Sequence, residues 1–568
     1  MAEDNIAQVL SSDDREDPKV EKHRHRTLGN VRLRHHETNE IILVPTPSND
    51  PNDPLNWSQW YKKTIAVIIC LAILWCNFLA AGPTVAIVST TMSFFPASPP
   101  TVDPAGFSAN VSKTAFFFTT TALLQGTGNF IWVPLANKYG RRPVYIISYC
   151  IYLACTIWAI FDQTYAGFLA SRIIMGIGSG AAETIAPITI ADVFFLHERG
   201  AIMALYTSFL SVGVGFGMII AGLITINHSW RVIYEVAAAF IGLILLLAFF
   251  AFPETAFNRD DKPVAGSQYP LQNSSAHGSE KTHQTDRISD VEQAPSFEAA
   301  PLPKKKSYTQ MLRIFNGRFT TEPLYKMFLR PLGLICLPPV LWAALVEAVT
   351  IGFLVAITSN VSVAYASAYG FEAWQVGLCF IAACVGSAFG IPAGGHLGDV
   401  VADYFTTRNG GIREPEMRLP AMTLSLITAP LAMILYGVGI EKKLHWICPT
   451  IGLGLSQYTL STRWYYAGGG TNVVLVYVID AYRPVAGEIT LAVMGFKSLF
   501  GFLLSFYTNP WVNKDGYQNA YGAMAGISAA IIVLWVPMYI WGRQIRHVTW
   551  SWPVISYVHW HEDRETGE

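Results

Sequence analysis

The feature that most constrains this chain is a repeated apolar run of membrane length. An α-helix needs roughly 20 apolar residues to cross the ~30 Å hydrocarbon core of a bilayer. The predicted spans lie near residues 64–86, 114–135, 143–162, 166–190, 203–226, 231–252, 334–357, 374–397, 419–439, 446–480, 486–508 and 521–541. The pattern therefore predicts an all-α polytopic membrane protein with twelve transmembrane helices.

Composition supports a membrane protein and argues against an enzyme. Charged residues make up 14% of the 568 residues, against roughly 25% in soluble chains. The eight cysteines lie in apolar runs and show neither metal-ligand nor disulfide-framework spacing. The chain has no phosphate-binding G-x-x-x-x-G-K-[ST] loop, no H-E-x-x-H and no G-x-S-x-G. We expect no cofactor, no metal, no nucleic-acid partner and no ATP-driven step.

A long polar segment divides the spans into two groups of six. We predict an N-terminal tail at 1–61, a first bundle at 62–257, a linker at 258–332, a second bundle at 333–541 and a C-terminal tail at 542–568. The linker is rich in Ser, Gln, His, Glu and Lys, a composition typical of segments that cannot bury a core. Its last part mixes aromatic and basic residues, which predicts a short helix on the inner leaflet.

The distribution of basic residues predicts the orientation. The short loops at 137–142 and 195–200 contain four Lys or Arg residues, whereas those at 163–165 and 227–230 contain none. Basic short loops stay on the cytoplasmic side. Both tails are therefore predicted to be cytoplasmic, in a multi-pass protein of the plasma membrane.

Two tripeptides match the N-glycosylation pattern. Asn110 precedes Val-Ser in the loop predicted after the first span, where an outside location fits the predicted orientation. Asn360 begins a second such tripeptide. Both asparagines are therefore glycosylation candidates.

Three charged residues inside the spans are candidates for proton coupling. Arg172 and Glu183 lie in the fourth span and Glu347 lies in the seventh, where a charge costs about 2.5–3.5 kcal/mol at a helix centre. Arg172 and Glu183 share a helix face but lie about 16 Å apart along it, too far for a direct salt bridge. A carboxylate titrates whereas a guanidinium does not, so Glu183 is the better proton carrier. A structural helix–helix hydrogen bond remains the alternative.

The basic loop after the second span carries a family resemblance. Residues 133–142 read VPLANKYGRR and resemble the signature G-x-x-x-D-[RK]-x-G-[RK]-[RK] of the major facilitator superfamily of secondary transporters. Val133 and Asn137 depart from it. PLNW at 54–57, HERG at 197–200 and PETAF at 253–257 look like the fungal drug:proton antiporter-1 family, in its polyamine and metabolite-cluster branch. The resemblance implies the major facilitator fold, with two pseudo-symmetric six-helix halves.

The resemblance also implies a gate on the inner side. Arg141 is expected to pair with Asp192 or Glu198, in bonds that break when the inner side opens. The alternative is that these charges only determine topology. The predicted inner-loop gate consists of Lys138, Gly140, Arg141, Arg142, Asp192, Glu198 and Arg199.

The fifth span contains glycines that predict close helix packing. Gly213, Gly217 and Gly222 follow one another at short spacing, and small residues let helix backbones approach. The antiporter motif of the family ends G-P-x-x-G-G, whereas residues 217–222 read GMIIAG. The missing proline and glycine leave the direction of transport open.

The tenth span is longer than a bilayer requires. It runs over 35 residues from Trp446 to Asp480, about 52 Å as a helix. A broken helix lining a cavity and an error in the gene model are both consistent with the glycines at 468–470.

Together these observations predict a monomeric, proton-coupled secondary transporter that works by alternating access. Its predicted partners are a small-molecule substrate, protons and the lipid bilayer. Efflux of a drug or secondary metabolite is the favoured function. Uptake of a small polar or cationic nutrient such as a polyamine, and a non-transporting nutrient sensor, are the alternatives.

Overall fold

The structure is a computed structural model. It describes residue 48 and residues 50–96, 103–257, 305–320, 322–408, 414–461, 473–482, 485–550 and 552–553. Every regular element within these ranges is helical.

The first half contains eight helices that form six spans. They are α1 (Gln59–Ala81), α2 (Ile87–Phe94), α3 (Pro104–Thr127), α4 (Asn129–Tyr139), α5 (Arg141–Phe161), α6 (Tyr165–Val193), α7 (Leu196–Asn227) and α8 (Val232–Ala251). A 3-10 segment, Gly82–Ala86, joins α1 to α2, and α3 meets α4 at Gly128.

Within the described ranges, the end of the predicted linker and the second half contain ten helices, of which the first two belong mainly to the linker. The helices are α9 (Tyr308–Met311), α10 (Leu324–Leu334), α11 (Pro338–Tyr369), α12 (Ala373–Cys379), α13 (Ile381–Arg408), α14 (Met422–Glu441), α15 (Ile447–Ser461), α16 (Val473–Ala481), α17 (Ala486–Val533) and α18 (Trp535–Trp550). A 3-10 segment, Pro415–Ala421, precedes α14.

The eleventh and twelfth spans are divided inside α17. Gly516 has φ 79° and ψ 165°, a backbone conformation outside the helical region. The Glu441 carboxylate accepts a hydrogen bond of 2.8 Å from the backbone N–H of Tyr517, just after the break. A side-chain acceptor at a helix start satisfies an N–H that lacks an intrahelical partner.

The described helices support the predicted membrane architecture. Eight helical stretches among them are long and apolar enough to cross a bilayer, and one of these, Gly487–Trp550, contains the two spans that Gly516 divides. Large apolar side chains on the outer surface, such as Leu246 and Phe250 of α8, are more than half exposed, as lipid-facing residues are. The chain is a multi-pass, all-α membrane protein.

The start of the second span differs from the prediction. The chain is helical from Pro104, about ten residues before the predicted start. Asp103 caps this helix, since its side chain accepts a 2.9 Å hydrogen bond from the backbone N–H of Gly106. An Asp N-cap followed by proline is a helix-start signal that works in polar sequence, so a search for apolar runs misses it.

The two halves meet around a central cavity. We call the end of the bundle that carries Gly140 the loop end, and the opposite end the far end. Near the far end, the Ser362 hydroxyl of α11 donates to the carbonyl of Thr84 at 3.1 Å. Toward the loop end, Phe130 and Leu491 belong to one apolar cluster that spans both halves. The described helices therefore touch across the halves on both sides of the cavity.

Candidate transport site

A cavity of about 200 Å³ lies between the halves. Helices α1, α3, α6 and α7 of the first half and α11 and α17 of the second half line it. Most of the wall is apolar, with Leu210, Leu354 and Phe502 as examples. Among the described lining residues, Glu183 and Lys497 are the two that carry charge. The described wall of the cavity is therefore mainly apolar and carries one pair of opposite charges.

Glu183 and Lys497 form an ion pair that joins the two halves. The Lys497 Nζ lies 2.7 Å from Glu183 Oε1. The second carboxylate oxygen accepts a longer bond of 3.4 Å from the Gln125 amide, and Lys497 also lies 3.0 Å from the Met494 sulfur. Both side chains are only about one-tenth exposed, so each charge depends on the other for compensation.

The backbone around Glu183 is held by a tyrosine from the next helix. Pro187 lies inside α6 and has no N–H to donate to the carbonyl four residues before it, which belongs to Glu183. The Tyr206 hydroxyl of α7 donates to that carbonyl at 2.8 Å. The proline therefore frees an acceptor, and the tyrosine satisfies it and fixes the position of Glu183.

The sequence pattern identifies Glu183 but misses its partner. Lys497 is not among the proton-coupling candidates identified from the sequence, because nothing in the sequence relates two residues 314 positions apart. The available signal is the lysine itself, since a charge inside an apolar span is rare and marks a partner or a pathway.

Arg172 is buried away from the ion pair. Its Nε donates to the Phe117 carbonyl at 2.9 Å and its Nη1 to the Leu79 carbonyl at 3.4 Å. The guanidinium also lies 5.5 Å from the centroid of the Phe118 ring. These contacts join α1, α3 and α6, and Arg172 is not among the described lining residues. The geometry favours the structural alternative, while a role in proton coupling stays a prediction.

Glu347 is buried in α11, with 3% of its surface exposed. It lies four residues, one helical turn, before Ile351, which lines the cavity. Glu347 itself is not among the described lining residues. Its proposed part in proton binding remains a prediction.

The basic loop is organised around two carboxylates. Arg141 Nε lies 2.8 Å from Asp192 Oδ2. Of the two carboxylates that the sequence offered as partners of Arg141, Asp192 and Glu198, the structure therefore pairs Arg141 with Asp192. The backbone N–H groups of Arg141 and Arg142 donate to the Glu254 carboxylate at 2.8 and 3.2 Å. Burial raises the pKa of Glu254 above its ordinary value of 4.5, against the opposing effect of these donors.

Gly140 is required by this arrangement. Its φ of 101° lies in the region that side chains disfavour. A Cβ at this position would overlap the Glu254 carboxylate. The glycine therefore allows the chain to turn between α4 and α5 while Glu254 approaches the backbone.

Arg142 and Arg199 cap helix ends rather than cross between the halves. The buried Arg142 guanidinium donates to the carbonyls of Ala248, Phe249 and Phe252 at the end of α8. Arg199 donates to the carbonyls of Phe194 and Ala191, at 2.8 and 2.6 Å, at the end of α6. Cations at helix C-termini satisfy carbonyls and oppose the negative end of the helix dipole.

The other gate residues contact the N-terminal segment and the end of the linker. Glu198 accepts a 2.8 Å hydrogen bond from Gln59 and lies 4.0 Å from Lys62. Lys138 donates to the backbone carbonyl of Glu322 at 2.8 Å, and Glu322 pairs with Arg330. All seven predicted gate residues thus lie at the loop end, and these bonds stay within the first half and the adjoining linker.

The second half repeats part of this arrangement. Arg418, in the 3-10 segment before α14, lies 2.5 Å from Asp480 at the end of α16. Glu416 lies 3.3 Å from Arg546 near the end of α18. Ion pairs that join corresponding loops and helix ends are consistent with two structurally related halves.

The fifth-span glycines lie at close helix contacts. A Cβ on Gly213 would lie 2.8 Å from the Leu74 carbonyl oxygen, and one on Gly217 would lie 2.9 Å from Phe78 Cα. Gly222 faces Gly377 of α12, across the interface between the halves. Gly222 therefore lies where the halves meet near the far end.

The structure corrects one glycosylation candidate. Asn360 is 3% exposed inside α11, and its amide donates to Asn509 at 2.6 Å. A sugar cannot be accommodated there, because the side chain is buried inside the bundle. The tripeptide pattern carries no information on burial and therefore cannot exclude this position. Asn110 is partly exposed in α3 rather than in the predicted loop, and its glycosylation remains a prediction.

Comparison with known proteins identifies the family. The family model described as Major Facilitator Superfamily matches residues 67–467. The chain belongs to the major facilitator superfamily, and it is a membrane transporter rather than an enzyme.

Fungal transporters resemble the chain over most of its length. It is 26% identical to an uncharacterised MFS-type transporter of Schizosaccharomyces pombe, with 90% of this chain and 89% of the relative covered. It is 24% identical to the protein HOL1 of Saccharomyces cerevisiae, with 90% and 91% covered. The MFS transporter cpaT of Aspergillus oryzae is 25% identical, with 80% and 86% covered.

Solved structures show the same fold at low sequence identity. The xylose transporter XylE of Escherichia coli, in a partially occluded inward-open conformation, has a TM-score of 0.54 at 13% identity, with 84% of this chain and 99% of that chain covered. The human organic anion transporter MFSD10 has a TM-score of 0.53 at 14% identity, with the same shares covered. The twelve-helix major facilitator fold predicted from the sequence is confirmed.

Proposed function

We propose that this transporter couples the movement of a small, mainly apolar solute to protons, by alternating access. The Glu183–Lys497 pair carries the proposal, because it joins the two halves across the cavity wall. Protonation of Glu183 removes its negative charge and therefore the attraction that holds Lys497. A proton can then change the balance between open states through its different affinity for each of them.

The cavity lining bears on the substrate. A polyamine carries several positive charges and needs several carboxylates in a buried site. Glu183 is the one carboxylate among the described lining residues, and Lys497 already neutralises it. The lining therefore supports a solute with a large apolar surface better than it supports a polyamine.

We further propose that the loop end faces the cytoplasm and that transport runs outward. The orientation rests on the basic residues of the loop at 137–142 and the tendency of such loops to remain inside. The direction rests on the resemblance to fungal drug:proton antiporters. A nutrient sensor would instead bind its solute without moving protons.

Proton flux in proteoliposomes tests the proposal. Purified protein is reconstituted with a pH-sensitive dye in the lumen, and 4-fluoroacetophenone, spermidine and a cationic dye are offered as solutes. We expect the apolar solute, 4-fluoroacetophenone, to drive proton movement in the parent protein. Glu183→Gln should abolish this movement while leaving solute exchange without a gradient.

The matched control is Glu235→Gln, because Glu235 is an exposed carboxylate in α8 outside the cavity. This variant should retain proton movement. Equal proton flux in the parent and in Glu183→Gln would contradict the proposal. Binding of a solute with no flux in the parent would favour the sensor.

A further inference from the structure

We propose that Asn77, Thr119 and Ser505 form a subsite for an uncharged oxygen function of the transported solute, such as a carbonyl or a hydroxyl. The inference rests on the proposed transport through the central cavity and adds a recognition element to it. It does not depend on which group carries the proton.

The first observation is that these side chains line the cavity and are buried but unsatisfied. Asn77, Thr119 and Ser505 are 8%, 2% and 1% exposed. Asn77 Nδ2, Thr119 Oγ1 and Ser505 Oγ have no hydrogen-bond partner in the described part of the protein. Buried polar groups usually have a partner in the protein or in water, so three unpaired donors in one cavity wall mark a place where a polar group of a solute can bind.

The second observation places Thr119 and Ser505 at one level. Three contacts fix the antiparallel register of α3 and α17. Gly126 of α3 packs against Ser498 of α17. The rings of Phe116 in α3 and Phe506 in α17 lie 5.3 Å apart. Asn513 of α17 donates to the Ser108 hydroxyl of α3 at 3.0 Å. In this register Thr119 lies opposite Ser505.

Asn77 lies at the same level on a third helix. Arg172 donates to the carbonyls of Leu79 in α1 and Phe117 in α3, which sets these two residues side by side. Asn77 and Thr119 each lie two residues from those positions, both toward the loop end, because α1 and α3 run in opposite directions. The three polar groups therefore converge from α1, α3 and α17.

This subsite is separate from the ion pair. Ser505 follows Lys497 by eight residues in α17, which is about 12 Å along a helix. The intervening wall includes Phe502 and Gly501. A solute can thus place its oxygen at the subsite and its apolar body along this wall, away from the Glu183–Lys497 pair.

The chemistry of the groups selects an acceptor without charge. An amide N–H and hydroxyl groups donate hydrogen bonds to a carbonyl or hydroxyl oxygen. No charged residue is among the three, and a charged solute group would lack compensation at this level of the described cavity wall. Discrimination follows, because a solute without the oxygen leaves the donors unpaired.

An isosteric probe pair tests the subsite. 4-Fluoroacetophenone and 4-fluoro-α-methylstyrene differ only in a carbonyl oxygen against a methylene group. Their affinities for the full-length protein in nanodiscs are measured by ¹⁹F line broadening, with empty nanodiscs as the partition control. We expect the parent to bind the ketone roughly fivefold or more tightly, the effect of about one neutral hydrogen bond.

The variants Asn77→Leu, Thr119→Val and Ser505→Ala should each reduce this preference toward equal binding. Thr358→Val is the matched control, because Thr358 also lines the cavity but its hydroxyl already donates to the Val355 carbonyl at 3.0 Å. It should keep the preference. Thermal unfolding of each variant identifies any that fail to fold.

Equal affinity of the parent for the two probes, or no binding of either, would overturn the subsite. So would a preference that survives in all three variants. The same measurement on Glu183→Gln separates the two proposals. If Glu183→Gln keeps the preference for the ketone while the parent shows no proton flux in proteoliposomes, the subsite is supported and proton coupling is ruled out.

Discussion

At the scale of single residues, the buried charges of Glu183 and Lys497 are each tolerated because the other one compensates it. Removing one partner of a buried ion pair leaves an uncompensated charge and costs about 3–5 kcal/mol, whereas replacing both is often neutral. The 2.7 Å separation and the low exposure of both side chains place this pair in that category.

Lys497→Met should therefore lower the free energy of unfolding by about 3 kcal/mol. The double variant Glu183→Gln/Lys497→Met should recover most of that loss. A double-mutant cycle followed by thermal unfolding in detergent measures the coupling. Additive effects of the two single changes would show that the side chains do not interact.

Arg142 tests whether the basic loop acts by geometry or by charge. Its guanidinium serves three carbonyls at the end of α8, a pattern that a lysine ammonium cannot reproduce with its compact head. Arg142→Lys should cost about 1–3 kcal/mol of stability, since carbonyls lose donors. Arg543→Lys is the control, because Arg543 is 40% exposed and pairs with Glu414. Equal stability of the two variants would favour a role in topology alone.

Glu254 gives the loop a pH dependence of defined sign. Its pKa is raised by burial, so the folded state binds the proton more tightly than the unfolded state. The contribution of Glu254 to stability is then greatest below the ordinary pKa of 4.5 and is lost as pH rises through the folded-state pKa. The thermal midpoint of the parent should therefore contain a decrease with rising pH that is absent from the midpoint of Glu254→Gln. An unchanged pH profile would rule out the contribution of Glu254.

At the scale of elements, the spans could be predicted from the sequence because a bilayer demands about 20 apolar residues for each helix. The additional turns of α3 could not be found this way, because Asp103 and Pro104 begin that helix in polar sequence. The hydrogen bond from Tyr206 to the Glu183 carbonyl could not be predicted from the sequence either, because it depends on how α6 and α7 pack.

The candidate site was predictable only in part. An intramembrane carboxylate is conspicuous, so Glu183 can be identified from the sequence. The partner Lys497, the register that aligns Thr119 with Ser505 and the burial of Asn360 all depend on contacts between distant segments. Local pattern carries no information on such contacts, which is why the glycosylation prediction for Asn360 is wrong.

The close packing of α7 on α1 leads to a prediction about stability at the same scale. A Cβ on Gly217 would lie 2.9 Å from Phe78 Cα, a backbone atom that cannot move independently. Gly217→Ala should therefore cost about 1–3 kcal/mol through overpacking. Gly526→Ala is the control, because nothing lies within 4 Å of its Cβ position, and the change should gain about 0.5–1 kcal/mol in a helix. Thermal unfolding of both variants checks the contrast, and equal midpoints would contradict it.

At the scale of the whole molecule, the contacts between the halves lie on both sides of one cavity. The Ser362–Thr84 bond lies near the far end, and the Phe130–Leu491 cluster lies toward the loop end. The Glu183–Lys497 pair lies between them and ties the halves together at the cavity. Alternating access requires the two sides to open in turn, so a charge change at this pair is well placed to alter their balance.

Distance measurement between the halves tests this claim most directly. Spin labels at the exposed positions Lys63 and Val548 report on the loop end, and labels at Gln163 and Lys442 report on the far end. Electron–electron resonance gives both distance distributions at neutral and acidic pH, in a background without accessible native cysteines.

We predict that acidification shifts the two distributions of the parent in opposite directions. Glu183→Gln should show the acidic distributions at every pH, because the glutamine removes the charge as protonation does. Distributions that ignore pH in the parent, or that respond to pH equally in the parent and in Glu183→Gln, would contradict Glu183 as the proton site.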